Sequence, residues 1–134
     1  MRTALDSSVL ILLYRKQPGW EAWRNSLQLA ALQGELIISP IAFSEFSIAY
    51  PSVESALADL DRLHIFYDPI TPAAAYRAGQ IFLRYRREGG PRQHLIPDFL
   101  IAAHASVQAD RLAAIDRGYL RTYFPSLPTL SPIE

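Results

Sequence analysis

Strand-like and helix-like stretches alternate along this chain. Arg2 to Asp6 is expected to form a short first strand, and Glu35 to Ser39, His64 to Tyr67 and Arg111 to Ile115 read as three more. Between them apolar residues recur at intervals of three and four, the spacing that places side chains on one face of a helix. Val9, Leu12 and Leu13 make one such series, with Ser7 and Ser8 as its caps. Trp20, Trp23, Leu27, Ala30 and Ala31 make the next, between a Gln17-Pro18-Gly19 turn and Gly34, and the tryptophans read as packing rather than as a base-stacking platform. A first strand that feeds straight into a helix, with helices between later strands, predicts an α/β fold.

Ser39 and Pro40 begin a helix expected to run to Tyr50, the serine capping and the proline in the first turn, where its missing amide costs nothing. Glu45 is its only charge and shares a face with Ile41, Ala42, Ile48 and Ala49, so its carboxylate is expected to point inward. After Pro51, residues Val53, Leu57, Leu60 and Leu63 mark an amphipathic helix. Thr71 and Pro72 start a longer one reaching about Arg87, with Ala75, Ala78, Gly79, Phe82 and Tyr85 on its packing face. Arg77, Gln80, Arg84 and Arg87 line another face, read as solvated, with a phosphate-contacting track as the sharper alternative. A glycine and proline loop, Glu88 to Ile96, leads to a helix from Asp98 to about Gln108, where Ile101, Ala102 and Ala105 share the face of Asp98. Arg117 to Phe124 reads as a short helix, and the prolines at 125, 128 and 132 leave room only for a short edge strand.

At 134 residues, half of them apolar, the chain fits a single domain over residues 1–134. No apolar run approaches the ~20 residues of a membrane span, and Ser8 to Tyr14 lacks signal-peptide layout because Asp6 precedes it, so a soluble, cytoplasmic protein is expected. There are no cysteines, which excludes disulfides, thiolate zinc sites and cysteine nucleophiles. Thirteen basic and 13 acidic residues cancel, leaving no bulk positive field of the kind nucleic-acid binders carry. All the basic residues but Lys16 are arginine, which suits bidentate contact to phosphate, although a GC-rich genome produces the same bias.

Four carboxylates are isolated, Asp6, Glu45 and Asp98 from neighbouring acids and bases and Asp116 from other acids. Asp6, Glu45, Asp98 and Asp116 are each embedded in apolar sequence, where unpaired acids need compensation. Asp6 and Asp116 end predicted strands and Asp98 begins a predicted helix, which in a parallel α/β sheet places all three on the edge where ligands bind. Two carboxylates about 6 Å apart repel by roughly 3 kcal/mol at an effective dielectric near 20, and a divalent cation relieves this. An all-oxygen set suits Mg²⁺ or Mn²⁺ better than zinc. Each acid also has a local reading: Asp6 and Asp98 as helix caps and Asp116 as a turn residue. Glu45, in mid-helix on an apolar face, has none. His94 and His104 form no zinc or nucleophile constellation; His104 reads as packing or surface, and His94 can approach a substrate from its loop.

The segments ALDSSVLI with Asp6 and Ser8, SPIAFSEF with Glu45, PDFLIAAHA with Asp98 and LAAIDRGYLRTYF with Asp116 resemble, in order and spacing, a PIN-domain protein of the VapC toxin type. The resemblance covers nearly the whole chain. It implies an α/β/α three-layer sandwich around a short, mostly parallel sheet, and magnesium-dependent RNA cleavage at Asp6, Glu45, Asp98 and Asp116, with manganese as a possible substitute. It implies a cognate antitoxin that covers the site, and a homodimer formed through apolar helix faces is expected of the uncovered protein. Family members often carry a threonine where this chain has Ala114, and Ser8 is the candidate to supply the missing hydroxyl. Arg92, Arg117 and Arg121 are candidate phosphate contacts. Two other readings stand beside this one: a PIN-like fold that binds without cleaving, and a receiver-like signalling domain, which the single lysine, Lys16, disfavours.

Overall fold

The computed structural model describes residues 1–132. β1 (Thr3–Leu5), β2 (Leu36–Ile38) and β4 (Arg111–Ala113) are short, apolar and almost wholly buried, as befits strands covered on both faces. With β3 (Ile65–Tyr67) and β5 (Thr129–Leu130) they form one sheet in the order β3-β2-β1-β4-β5, with every pairing parallel. The expected α/β class and the edge strand after Pro128 are therefore present, and the strands are trimmed to two or three residues.

The chain steps outward from β1 to β2 and β3, then returns to the other side of β1 as β4. Right-handed crossovers then place α1 (Ser7–Tyr14), α2 (Trp20–Gln33), α3 (Pro40–Phe46) and α4 (Val53–Arg62) on one face. They place α5 (Pro72–Arg87), α6 (Ile96–Gln108) and α7 (Gly118–Tyr123) on the other, giving the three layers. The reversal of direction lies between β1 and β4, where a parallel sheet opens a crevice at its carboxyl edge.

Local chemistry sets most boundaries. Ser39 accepts from Ala42 N and Thr71 from Ala74 N, each followed by proline in the first turn, as expected. Neither Ser7 nor Ser8 caps α1; Asp6 does, because its extended backbone closes β1 and its carboxylate accepts from Ser8 N. α6 starts at Ile96, two residues before the expected Asp98, with Pro97 in its first turn.

Three packing faces differ from expectation. The helix after Pro40 stops at Phe46 and tightens into a 3-10 turn over Ser47–Ala49, which swings Ile48 out to 82% exposure. Ile48 and Ala49 consequently do not share a buried face with Glu45. On α4 only Ala56 and Leu60 are buried, and Val53, Leu57 and Leu63 face outward. On α5 the buried small residues are Ala74 and Ala78 rather than Ala75 and Gly79, since periodicity cannot choose between adjacent alanines.

α5 and α6 make the most extensive helix pair, antiparallel across the Glu88–Leu95 loop. Phe99, fully buried on α6, meets the rings of Phe82, Tyr85, Tyr119, Tyr123 and Phe124. At the far end of α6, buried His104 and Gln108 both reach Asp68, which follows β3. His104 is thus a packing residue. Trp23 is buried and Trp20 lies under Arg24 and Lys16, which agrees with a packing role for both tryptophans.

Candidate metal centre

The four isolated carboxylates come to the carboxyl edge of the sheet from both of its faces. Asp6 follows β1 directly, and its backbone N–H donates to Ala113 O of β4, so the two central strands hold it. Its Oδ2 accepts from Ser8 N at 3.3 Å and from the Ser8 hydroxyl, which turns that hydroxyl toward the acid. Ser8 therefore lies in the first turn of α1. Glu45 points back from α3 and accepts from Ser7 Oγ at 2.8 Å.

Asp98 and Asp116 arrive from the other face. Asp98, in the first turn of α6, accepts from Leu95 N at 3.2 Å, reaching back to the residue that precedes the helix. Asp116 sits in the turn between β4 and α7 and accepts from Gly118 N at 3.1 Å. The local roles of Asp6, Asp98 and Asp116 as cap and turn residues are real, and they aim each carboxylate at the same edge. Among the described residues, Glu45 has only the long-range bond to Ser7.

Their electrostatics are coupled. Burial pushes the Asp6 carboxyl up from its ordinary range, against the Ser8 hydrogen bonds, and the charges of Glu45 and Asp98 push it the same way. The Tyr119 hydroxyl, 3.4 Å from Asp98 O, is raised first by burial and then by Asp6, Asp98, Asp116 and Glu45 together. One phenol thus feels all four acids. Among the described residues no three acidic or histidine side chains close into a ready metal cage. Donor type and uncompensated negative charge nevertheless fit a hard divalent cation.

Ser7 and Tyr119 were not among the expected site residues, and His94 was expected only to approach a substrate from its loop. Ser7 holds Glu45, Tyr119 stacks on His94 with ring centroids 4.2 Å apart, and His94 itself reaches Asp98 and Asp116. The tyrosine had one sequence cue, lying three residues after an isolated acid at a helix start. Of the expected phosphate contacts, Arg92 and Arg121 are exposed on the rim loop and on α7, while Arg117 donates to Ser131 Oγ at 2.9 Å. Ala114 is buried in line with the end of β4, where it offers no hydroxyl.

An apolar groove leads away from Glu45. A cavity of about 390 Å³ lined by Ile11, Tyr14, Glu45, Phe46 and Ile48 shares Tyr14 and Phe46 with a second of about 380 Å³ between α1, α2 and α4. Arg15 flanks the first, and Arg24 and Arg62 the second. No described helix is long and apolar enough to cross a membrane.

Among solved structures, the chain is similar to VapBC2 from Rickettsia felis bound to a DNA fragment from their promoter, with a TM-score of 0.75 at 19% identity over 96% of this chain and 97% of that one. VapBC-1 from nontypeable Haemophilus influenzae gives 0.71 at 18% identity over 98% of both chains. A toxin-antitoxin complex from Klebsiella pneumoniae gives 0.68 at 19% over 98% of both. At these identities the likeness speaks for the fold. A search of curated proteins found no significant match. The PIN domain family model matches residues 3–125, which takes in the four segments that carry Asp6, Glu45, Asp98 and Asp116, and the chain belongs to the PIN domain family.

Proposed function

We propose that this protein is a metal-dependent endoribonuclease of the VapC toxin type, hydrolysing RNA phosphodiester bonds at the four-carboxylate centre. The observation that carries the reading is that β1, α3, α6 and the β4–α7 turn bring Asp6, Glu45, Asp98 and Asp116 to one edge of the sheet, with His94 between the last two. Family membership and the solved VapBC relatives support it.

Asp6, Glu45 and Asp98, with Asp116 beside them, would hold Mg²⁺ or Mn²⁺. When bound, such an ion acidifies water and offsets negative charge on a phosphodiester. The chain's own residues supply orientation. Ser8 and Ser7 fix the carboxylates of Asp6 and Glu45, and the backbone N–H groups of Leu95 and Gly118 fix those of Asp98 and Asp116. Arg92 and Arg121 are free to meet phosphates along the rim, and Arg117 reaches them on leaving Ser131.

A cognate antitoxin is the proposed protein partner. The groove that starts at Glu45 supports this, because a segment lying along its apolar floor ends at the acidic centre, where a cationic side chain completes it. A homodimer in the absence of that partner and residence in the cytoplasm belong to the same reading.

The test is cleavage of total RNA with mapped cut ends, with and without Mg²⁺. Asp98→Asn is expected to lower the rate more than ~100-fold at an unchanged melting temperature, exceeding the usual cost of losing a supporting residue around a metal. Cleavage that persists in this variant or in chelator rejects the reading. Failure to bind any divalent ion at millimolar concentration, with the fold intact, favours a PIN-fold binding module.

A further inference from the structure

His94 stands between two of the four carboxylates. Its Nδ1 is 3.4 Å from Asp98 Oδ2 and its Nε2 3.5 Å from Asp116 Oδ2, so one ring spans acids carried by different elements. The imidazole lies over the Tyr119 ring, centroids 4.2 Å apart and planes inclined by 31°, with Tyr85 edge-on at 6.2 Å. Only 16% of its side chain is exposed.

The loop that delivers His94 is pinned although its sequence is rich in glycine and proline. Gly90 N donates to Tyr85 O at 2.8 Å, and the Tyr85 hydroxyl donates to Pro91 O. A Cβ at Gly90 would lie 2.5 Å from the Tyr85 ring, so the backbone rests on the face of that ring at the one residue able to do so. Tyr85 is itself buried against Phe99. The path from the core to the imidazole is continuous.

Asp116 needs such support more than the other acids. Its side chain is 65% exposed, in a turn, and its hydrogen bond to Gly118 N engages Oδ1, leaving Oδ2 to His94.

We propose that His94 is a positioning residue that ties Asp116 to Asp98, so that the exposed carboxylate of the β4–α7 turn is held on the side of the other three acids. The role rests on the metal-centre reading above and adds to it a residue outside the acidic segments. Loss of a supporting partner around a metal typically costs ~10–100-fold in affinity.

His94→Phe keeps a ring on Tyr119 and removes both nitrogens, while His94→Gln restores a polar end. Two measurements on the full chain decide the matter: Mn²⁺ affinity by electron paramagnetic resonance, and the Asp116 side-chain rotamer by three-bond NMR couplings in metal-free protein. His94→Phe is expected to bind Mn²⁺ about 10–100-fold more weakly and to show averaged Asp116 rotamers, and His94→Gln to recover part of both. Combined with Asp116→Asn, it should bind no more weakly than Asp116→Asn alone, since it acts through that residue. His94→Ala gives the same readings should the phenylalanine prevent folding. Native or tighter Mn²⁺ affinity in these variants, with a single Asp116 rotamer, overturns the positioning role and leaves the metal centre standing. If the native protein binds no Mn²⁺ at millimolar concentration, the metal reading fails instead, and the rotamer measurement decides the positioning role alone.

Discussion

Ser7 Oγ donates to Glu45 Oε1 across 2.8 Å, and this bond joins the first turn of α1 to the last turn of α3. Ser7 is buried, so its hydroxyl has been withdrawn from water to serve one half-buried carboxylate.

Ser7→Ala removes that donor and leaves Glu45 among apolar neighbours. A hydrogen bond to a charged group contributes about 1.5–3 kcal/mol, so urea denaturation should show a loss in that range. Mn²⁺ affinity should fall as well, because Glu45 loses its orientation. An unchanged midpoint together with unchanged affinity would show that the bond orients nothing.

His104 gives the fold a pH dependence of definite sign. Burial lowers its pKa from the ordinary 6.5, with the Asp68 carboxylate 2.8 Å away pulling the other way. Below about pH 6.5 the unfolded chain takes up a proton that the native state resists, so stability falls as the pH drops from there toward the lowered native value. Urea midpoints should be lower at about pH 5.5 than at pH 7.5, and His104→Gln should shrink the difference. A difference of full size in the variant assigns it to other groups.

Phe99 joins the core to the aromatic cluster under the site, with rings of Tyr85 and Tyr119 at 5.1 and 5.7 Å. Phe99→Ala should cost about 3–5 kcal/mol, and Phe99→Leu distinctly less. Calorimetric melting reads both. Equal losses would mean that the site, not the ring, is the sensitive element.

Ile48 is a surface residue at the mouth of the groove beside Glu45. Ile48→Asp should leave stability within about 0.5 kcal/mol and the cleavage rate unchanged. If the antitoxin lies in the groove, the same change should weaken the complex by at least ~10-fold in a calorimetric titration, since an apolar contact gives way to a buried charge. Undiminished affinity places the partner elsewhere.

The elements were legible because their causes are local. Ser39-Pro40 and Thr71-Pro72 start helices by supplying a side-chain acceptor and a preset backbone angle, and α5 spans Pro72–Arg87 as its sequence foretold. The faces of α3, α4 and α5 were less legible, because burial depends on what packs opposite. Ile48 has the same apolar character as Ile41, yet a 3-10 turn carries one outward while the other packs against the core.

The site divides in the same way. Sequence alone singled out Asp6, Glu45, Asp98 and Asp116, because an acid stranded in apolar residues is conspicuous along the chain. Only the tertiary structure decided which other side chains serve them. Ser7 is 38 residues from Glu45, and His94 reaches Asp116 only because the chain crosses from α6 through β4 to the next turn. Charge that must be compensated leaves its mark on composition. The partner that compensates it is fixed by the fold, since hydrogen bonds and ring contacts act over a few ångströms in space and keep no fixed interval in sequence.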